Sequence, residues 1–185
     1  MKLEQELLDL ARNNQHFMDA VNILNKYRLP EATIAAGAVR NLVWDQKSGQ
    51  PSSFLRDNID VYYRDPSESY EQSITTQAEI SQNNSLYLWN LHNIALSSRH
   101  DDLVPQAKSI NEAIAGFPEK CSAIGIQIDG SNLTVIAPFG LDELFKLEVN
   151  PSPSFEKGMP KHDQYLQHIR FKHWQDRYPD LKINK

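Results

Sequence analysis

Cysteine is nearly absent from this chain of 185 residues, with Cys121 the single example. That excludes an intrachain disulfide and any zinc site built on cysteine pairs. Long apolar runs are missing too; none approaches the roughly 20 residues needed to cross a bilayer. The opening Met1-Lys2-Leu3-Glu4-Gln5-Glu6 lacks the apolar centre of a secretion signal. A cytoplasmic protein without a membrane partner is therefore expected. Basic charge is not in excess: the formal net charge is −5 and the pI about 5.7. This argues against broad nucleic-acid binding, which draws on basic stripes to displace counterions, and leaves room only for a local patch. The six histidines show no zinc spacing. His168 and His173 are five apart, so a helix would not stack them, and surface or capping histidines are expected. There is no internal repeat and no low-complexity tract.

What is present suits one domain. Apolar residues make up 40% and charged residues 23%, an ordinary globular balance. The length allows a sizeable core. Leu3, Leu7, Leu10, Phe17, Val21 and Leu24 recur at three-and-four spacing and predict one amphipathic helix over 2–27, ended by Leu29-Pro30. A short strand is expected at Thr33–Ala36, then a helix through Val39, Leu42, Val43 and Trp44 that stops near Ser48-Gly49. A strand over 58–64, a helix over 67–80 and a strand at Leu86–His92 follow, with a charged loop over 97–106. Ser109-Ile110-Asn111-Glu112 has the form of a capping box and predicts a helix that stops before Pro118. Cys121–Ile128 and Asn132–Ala137 are expected as a hairpin about Asp129-Gly130-Ser131. A short helix over Leu141–Val149, a proline-marked linker and a helix over 161–177 complete the chain. The order predicts a mixed α/β (α+β) single domain over 1–185, a mixed sheet of about five strands flanked by helices.

Two stretches carry chemistry: Ala36-Gly37-Ala38-Val39-Arg40-Asn41 and Asn58-Ile59-Asp60-Val61-Tyr62-Tyr63. The first reads as a strand end turning through glycine into a helix. Glycine lets the backbone amides at a helix start approach a phosphate closely. Arg40, on the first turn, is placed to add charge-assisted bonds to phosphate. Asn41 is placed to orient a ligand hydroxyl or to cap the turn. In the second stretch, side chains two apart share a strand face, so Asn58 and Asp60 point the same way and Asp57 the opposite way. Oxygen donors at that spacing can share magnesium, which takes its remaining ligands from phosphate and water. The plain alternative is a glycine used for packing and a solvated aspartate.

These residues resemble a known family. "AAGAVRNLVWD" followed by "NIDVYYRD" is similar to the bacterial nucleotidyltransferase-like family of the DNA polymerase beta superfamily, and close to segments in the head of CCA-adding enzymes and poly(A) polymerases. "INEAIAGFPEKCSAIGIQID", "APFGLDELFKLEVNPSP" and "HIRFKHWQDRYPDL" extend the resemblance over roughly 31–183. It implies the polymerase-beta-like nucleotidyltransferase fold and metal-dependent transfer of a nucleoside monophosphate from a nucleoside triphosphate (NTP) to an unknown hydroxyl acceptor. It also implies a phosphate turn on Gly37, Ala38, Arg40 and Asn41, a pair of metal ligands at Asn58 and Asp60, and Mg2+ or Mn2+ as cofactor. Asp60, Asn58 and Arg40 would be the catalytic group. The chain departs from the pattern in two places. Asn58 stands where the first metal aspartate is expected, and an amide oxygen carries no charge. A third carboxylate is expected on a neighbouring strand, where only Asn90 and His92 appear.

Those departures motivate a second reading, a nucleotide-binding protein with impaired catalysis. A third is a protein-interaction module, with helix 2–27 as the partner surface. Arg170, Lys172, His173 and Arg177 cluster on the last predicted helix; a solvated face with Trp174 packed inward fits them better than a phosphate or RNA site. Trp44 and Trp89 are expected as core or pocket wall. Asp142 and Glu143 favour a helix start, His100-Asp101-Asp102 faces solvent, and Cys121 is inert.

Overall fold

In the computed structural model the first apolar stripe folds as two helices. α1 (Lys2–Asn13) and α2 (Gln15–Tyr27) replace the single helix expected over 2–27. Asn14 interrupts them: it adopts extended φ/ψ, and its side chain accepts the Phe17 amide at 3.0 Å. An asparagine satisfies an orphan amide at a helix start better than it serves a helix interior. The apolar face survives the break, because Leu7, Ala11, Phe17, Ala20, Val21 and Leu24 are all buried. The structure describes residues 2–96 and 107–185, and the loop expected at 97–106, with His100-Asp101-Asp102, lies outside them.

The remaining elements follow in chain order. They are β1 (Thr33–Ala35), α3 (Gly37–Lys47), β2 (Asn58–Tyr63), α4 (Tyr70–Asn83), β3 (Leu88–Asn93), α5 (Ile110–Ala115), β4 (Gly125–Asp129) and β5 (Asn132–Ile136). After these come α6 (Asp142–Phe145), β6 (Glu148–Val149), a 3-10 turn at Pro153–Phe155, α7 (His162–Lys172), α8 (Trp174–Arg177) and β7 (Lys182–Ile183). Five strands form one mixed sheet in the order β3-β2-β1-β4-β5. β2 and β3 are parallel, β1 is antiparallel to both its neighbours, and β4–β5 is the expected hairpin. β6 and β7 pair in parallel. The five-stranded mixed sheet with flanking helices is the fold class expected from the sequence.

Where boundaries differ, a local bond explains it. α4 starts later than expected because Ser69 and Gln72 form a reciprocal capping box. Ser109 does cap α5, but Glu112 accepts the amide of Lys108 rather than that of Ser109, so the reciprocal box is not formed there. The helix expected over Leu141–Val149 ends at Phe145, and Glu148–Val149 joins β7 instead. The last helix, expected over 161–177, breaks at His173, whose φ of 47° turns Trp174 inward.

One face of the sheet packs against α1–α3. Ile34, Ile59, Val61 and Ile126 meet Leu24, Val39, Val43 and Trp44 in a common core. Each such buried side chain contributes about 1.5–3 kcal/mol of transfer free energy. On β2 the alternation is strict: Ile59 and Val61 go into this core, which sends Asn58 and Asp60 to the other face.

Candidate functional site

The register decides how near the two motifs lie. Ala35, the last residue of β1, pairs with Asp60 on β2, and Asp60 pairs with Asn90 on β3. The Ala36–Gly37 bend therefore begins directly beside Asp60. Gly37, Arg40, Asn41, Asn58 and Asp60 line one cleft of about 760 Å³, with Asn90 and His92 on its floor. Ala38 is buried and does not line it.

The bend itself differs from expectation. The positive φ falls on Ala36 (φ 52°, ψ −125°), not on Gly37. Ala36 thus carries backbone strain of about 1–3 kcal/mol beside the cleft. It offers no side-chain cap, and the first amides of α3, at Gly37 and Ala38, have no acceptor among the described residues. Nothing in the fold requires glycine at 37: a Cβ there would sit 3.7 Å from Nη2 of Arg40, an ordinary contact.

Arg40 is 7% exposed, and its guanidinium lies between two indole rings, 4.4 Å from the Trp44 centroid and 4.6 Å from that of Trp174. Its Nη1 donates to Ser122 at 2.8 Å and its Nε to Asn41 at 3.1 Å. Nη2 donates to no acceptor, and no carboxylate pairs with Arg40, among the described residues. Asn41 does not cap the turn; at the cleft its Nδ2 donates to Asp57 at 2.7 Å. Asp57 lines the same cleft, which corrects the expectation that it faces the opposite side. β2 starts at Asn58, so strand alternation does not reach back to 57.

Asp60 accepts a hydrogen bond from Nδ2 of Asn90 at 2.7 Å, and His92 Nε2 lies 3.5 Å from the same oxygen. His92 also stacks on Tyr62 at 4.6 Å. β3 thus places an amide and an imidazole, not a carboxylate, beside Asp60. Among the described residues no group of three His, Cys, Asp or Glu side chains converges to hold a metal ion.

The wall opposite β2 was not legible as part of the site. Trp174, Lys172, His168 and Glu119 line it. His168, expected at the surface or in a cap, donates from Nδ1 to Glu119, which is fully buried. Asp45 anchors the wall to α3: it accepts Arg177 Nη2 at 2.8 Å, the Tyr178 hydroxyl at 2.7 Å and the Ser53 amide at 2.7 Å. Burial and the Asp45 carboxylate push the Tyr178 phenol up to about 12. Of the predicted basic cluster, Lys172, His173 and Arg177 line this cleft, with Arg177 tied to Asp45, while Arg170 lines a separate cleft. Trp44 and Trp89 are core residues, as expected. Burial lifts the Cys121 thiol to about 12, consistent with an inert group.

A family model described as Nucleotidyltransferase matches residues 22–183. No curated protein sequence matches the chain. An NMR structure described as a CCA-adding enzyme head domain is 26% identical with a TM-score of 0.86, covering 98% of this chain and 95% of that one. A complex of CCA-adding enzyme with CTP is 14% identical with a TM-score of 0.61, covering 98% of this chain and 43% of that one. The Bacillus stearothermophilus CCA-adding enzyme with CTP is 16% identical with a TM-score of 0.53, covering 85% of this chain and 39% of that one. The last two likenesses concern the fold, and this chain spans less than half the length of either enzyme.

Proposed function

This chain belongs to the nucleotidyltransferase family, and on that premise we propose that its cleft binds a nucleoside triphosphate and transfers the nucleoside monophosphate to a hydroxyl acceptor. One observation supports this most. Arg40 is a buried cation with no carboxylate partner among the described residues, and its free Nη2 lies at the Gly37 bend. Burying an unpaired charge is costly. A phosphate at that place supplies the missing counter-charge and accepts the idle donors of Nη2, Gly37 and Ala38.

The oxygen donors beside the bend are those a single Mg2+ or Mn2+ ion would meet. Asp60 keeps one carboxylate oxygen free of Asn90, and Asn58 adds a neutral oxygen two residues before it. One carboxylate with one amide suits an ion that arrives with phosphate ligands and suits a pair of ions poorly. Asp60 and Asn58 would hold such an ion, which when bound polarises the α-phosphate and offsets charge on the leaving pyrophosphate. Arg40 binds and orients the phosphates. Asn41 and Asp57 hold Arg40 in place through the chain of bonds Arg40–Asn41–Asp57. Asn90 keeps Asp60 turned toward the cleft.

The test is incubation with each labelled triphosphate and magnesium or manganese. Pyrophosphate release above that of an Asp60→Ala control is the expected result, and release no greater than the control counts against transfer. A second reading, nucleotide binding with impaired catalysis, is favoured by the two amides Asn58 and Asn90 at positions where carboxylates are expected. It predicts binding without turnover. The interaction-module reading loses its motive, since the apolar face of α1 and α2 is buried within this chain.

A further inference from the structure

On the wall opposite β2, Glu119 and His168 form a pair that the phosphate site does not use. Glu119 is fully buried, and its Oε2 has no hydrogen-bond partner. Its backbone is rigidly held: its carbonyl accepts the amides of Ser122 at 3.1 Å and Ala123 at 3.0 Å, and it bridges to Pro151. Its Oε1 accepts Nδ1–H of His168. The imidazole lies edge-on to Trp174 at 5.8 Å, the indole that also covers Arg40. His168 remains about one-third exposed and lines the cleft.

A buried carboxylate bonded to Nδ1 selects one tautomer, in which Nδ1 carries the proton and Nε2 carries the lone pair. On β3 the groups beside Asp60 are Asn90 and His92, and His92 turns its Nε2 toward Asp60 at 3.5 Å rather than leaving it free for an acceptor.

We propose that His168 is the general base that takes the proton of the acceptor hydroxyl, with Glu119 as its positioning residue; this rests on the nucleotidyl-transfer reading above. The acceptor oxygen forms a bond to the α-phosphorus as the bond from that phosphorus to the bridging oxygen breaks. The electron pair leaves with pyrophosphate, and the hydroxyl proton moves to Nε2 of His168. The resulting imidazolium faces the Glu119 carboxylate. The other charged and titratable groups around the pair are Lys172 one turn along α7, Arg40 packed on Trp174 and bonded to Ser122, and Cys121, Tyr165 and Glu143 near Glu119, with Glu143 paired to Lys120 at 3.4 Å.

The experiment uses the full chain, ATP or CTP with manganese, and glycerol as the probe hydroxyl. His168→Gln is expected to bind nucleotide as the parent does and to release pyrophosphate about 10²–10⁴-fold more slowly. The parent should lose activity on the acid side, where the base is protonated, and H168Q should lack that limb. Glu119→Gln keeps an acceptor for Nδ1–H but removes the charge, so it should slow pyrophosphate release while nucleotide affinity holds. Nitrogen NMR of the unliganded protein should show His168 protonated at Nδ1 at high pH. An Nε2–H tautomer, or H168Q turnover at the parent rate, would overturn the proposal. Parent binding without any pyrophosphate release overturns it while leaving nucleotide binding intact. Failure of the parent to bind either nucleotide removes the transfer reading and the base together.

Discussion

Gly37→Ala separates a ligand's demand for glycine from the fold's. The backbone at 37 is not in the left-handed region, and an added Cβ would meet Arg40 Nη2 at 3.7 Å, close to van der Waals contact. The free protein should therefore accept alanine. Alanine in the first turn of α3 also narrows the unfolded ensemble, so stability should be unchanged or raised by up to about 1 kcal/mol. The bound state differs. If phosphate oxygens pack on the amides of Gly37 and Ala38, the methyl group occupies their space. Overpacking of this kind costs about 1–3 kcal/mol, which is about 5- to 150-fold in Kd. Urea denaturation and calorimetric titration with ATP and CTP measure the two quantities on one sample. Ala36→Gly is the companion: it relieves the strain at φ 52° and should add about 1 kcal/mol of stability with little change in affinity. A Kd for G37A within twofold of the parent would show that phosphate does not sit at this bend.

Three further outcomes are expected. Arg40→Met should weaken nucleotide binding about 10- to 100-fold, the worth of a charge-assisted bond to phosphate. Its unfolding free energy should change by less than about 2 kcal/mol, because the lost bonds to Ser122 and Asn41 are offset by relief of the cost of burying an unpaired cation; a larger stability loss with affinity unchanged would mark Arg40 as structural. Asn58→Asp should tighten manganese-dependent nucleotide binding about tenfold by restoring one negative charge to the ion's ligands, and titrations unaltered by the change would place the ion elsewhere. At alkaline pH the buried tyrosines set the sign. Tyr178, raised to about 12 by burial and Asp45, and Tyr87, raised to about 12 by burial and Asp19, hold their protons more tightly folded than unfolded. Their contribution is fully present below the unfolded value of about 10 and is lost as pH rises toward 12. Urea midpoints between pH 9 and 11.5 should fall, with a shallower slope in Tyr178→Phe; equal slopes would contradict this.

Much of the fold was legible because local chemistry and the final structure agree. The Asp129-Gly130-Ser131 turn closes the β4–β5 hairpin, Ser109 caps α5, and the apolar stripe of the N-terminal segment is the face that packs. Boundaries slipped where a single side-chain bond outweighed periodicity, as at Asn14 and Ser69, or where the backbone turned left-handed without glycine, as at His173. β6 and β7 were not legible, since two-residue strands far apart in the chain carry no periodic signal. That the Gly37 bend and Asp60 share one cleft was expected from turn chemistry and strand alternation taken with the family resemblance. The Glu119–His168 side was not. Both fall in segments that carry the family resemblance, but nothing local shows that residues 49 apart meet, and His168 lies on a helix read as solvent-facing.

By itself the sequence determined the family, the two motifs and the face each β2 side chain would take, because strand alternation and turn chemistry act over a few residues. Tertiary structure decided the rest. The antiparallel pairing of β1 with β2 puts Ala35 beside Asp60, and the turn at His173 lays Trp174 over Arg40. Those contacts join residues from distant parts of the chain, and their geometry follows from packing one shared core, which no local pattern encodes.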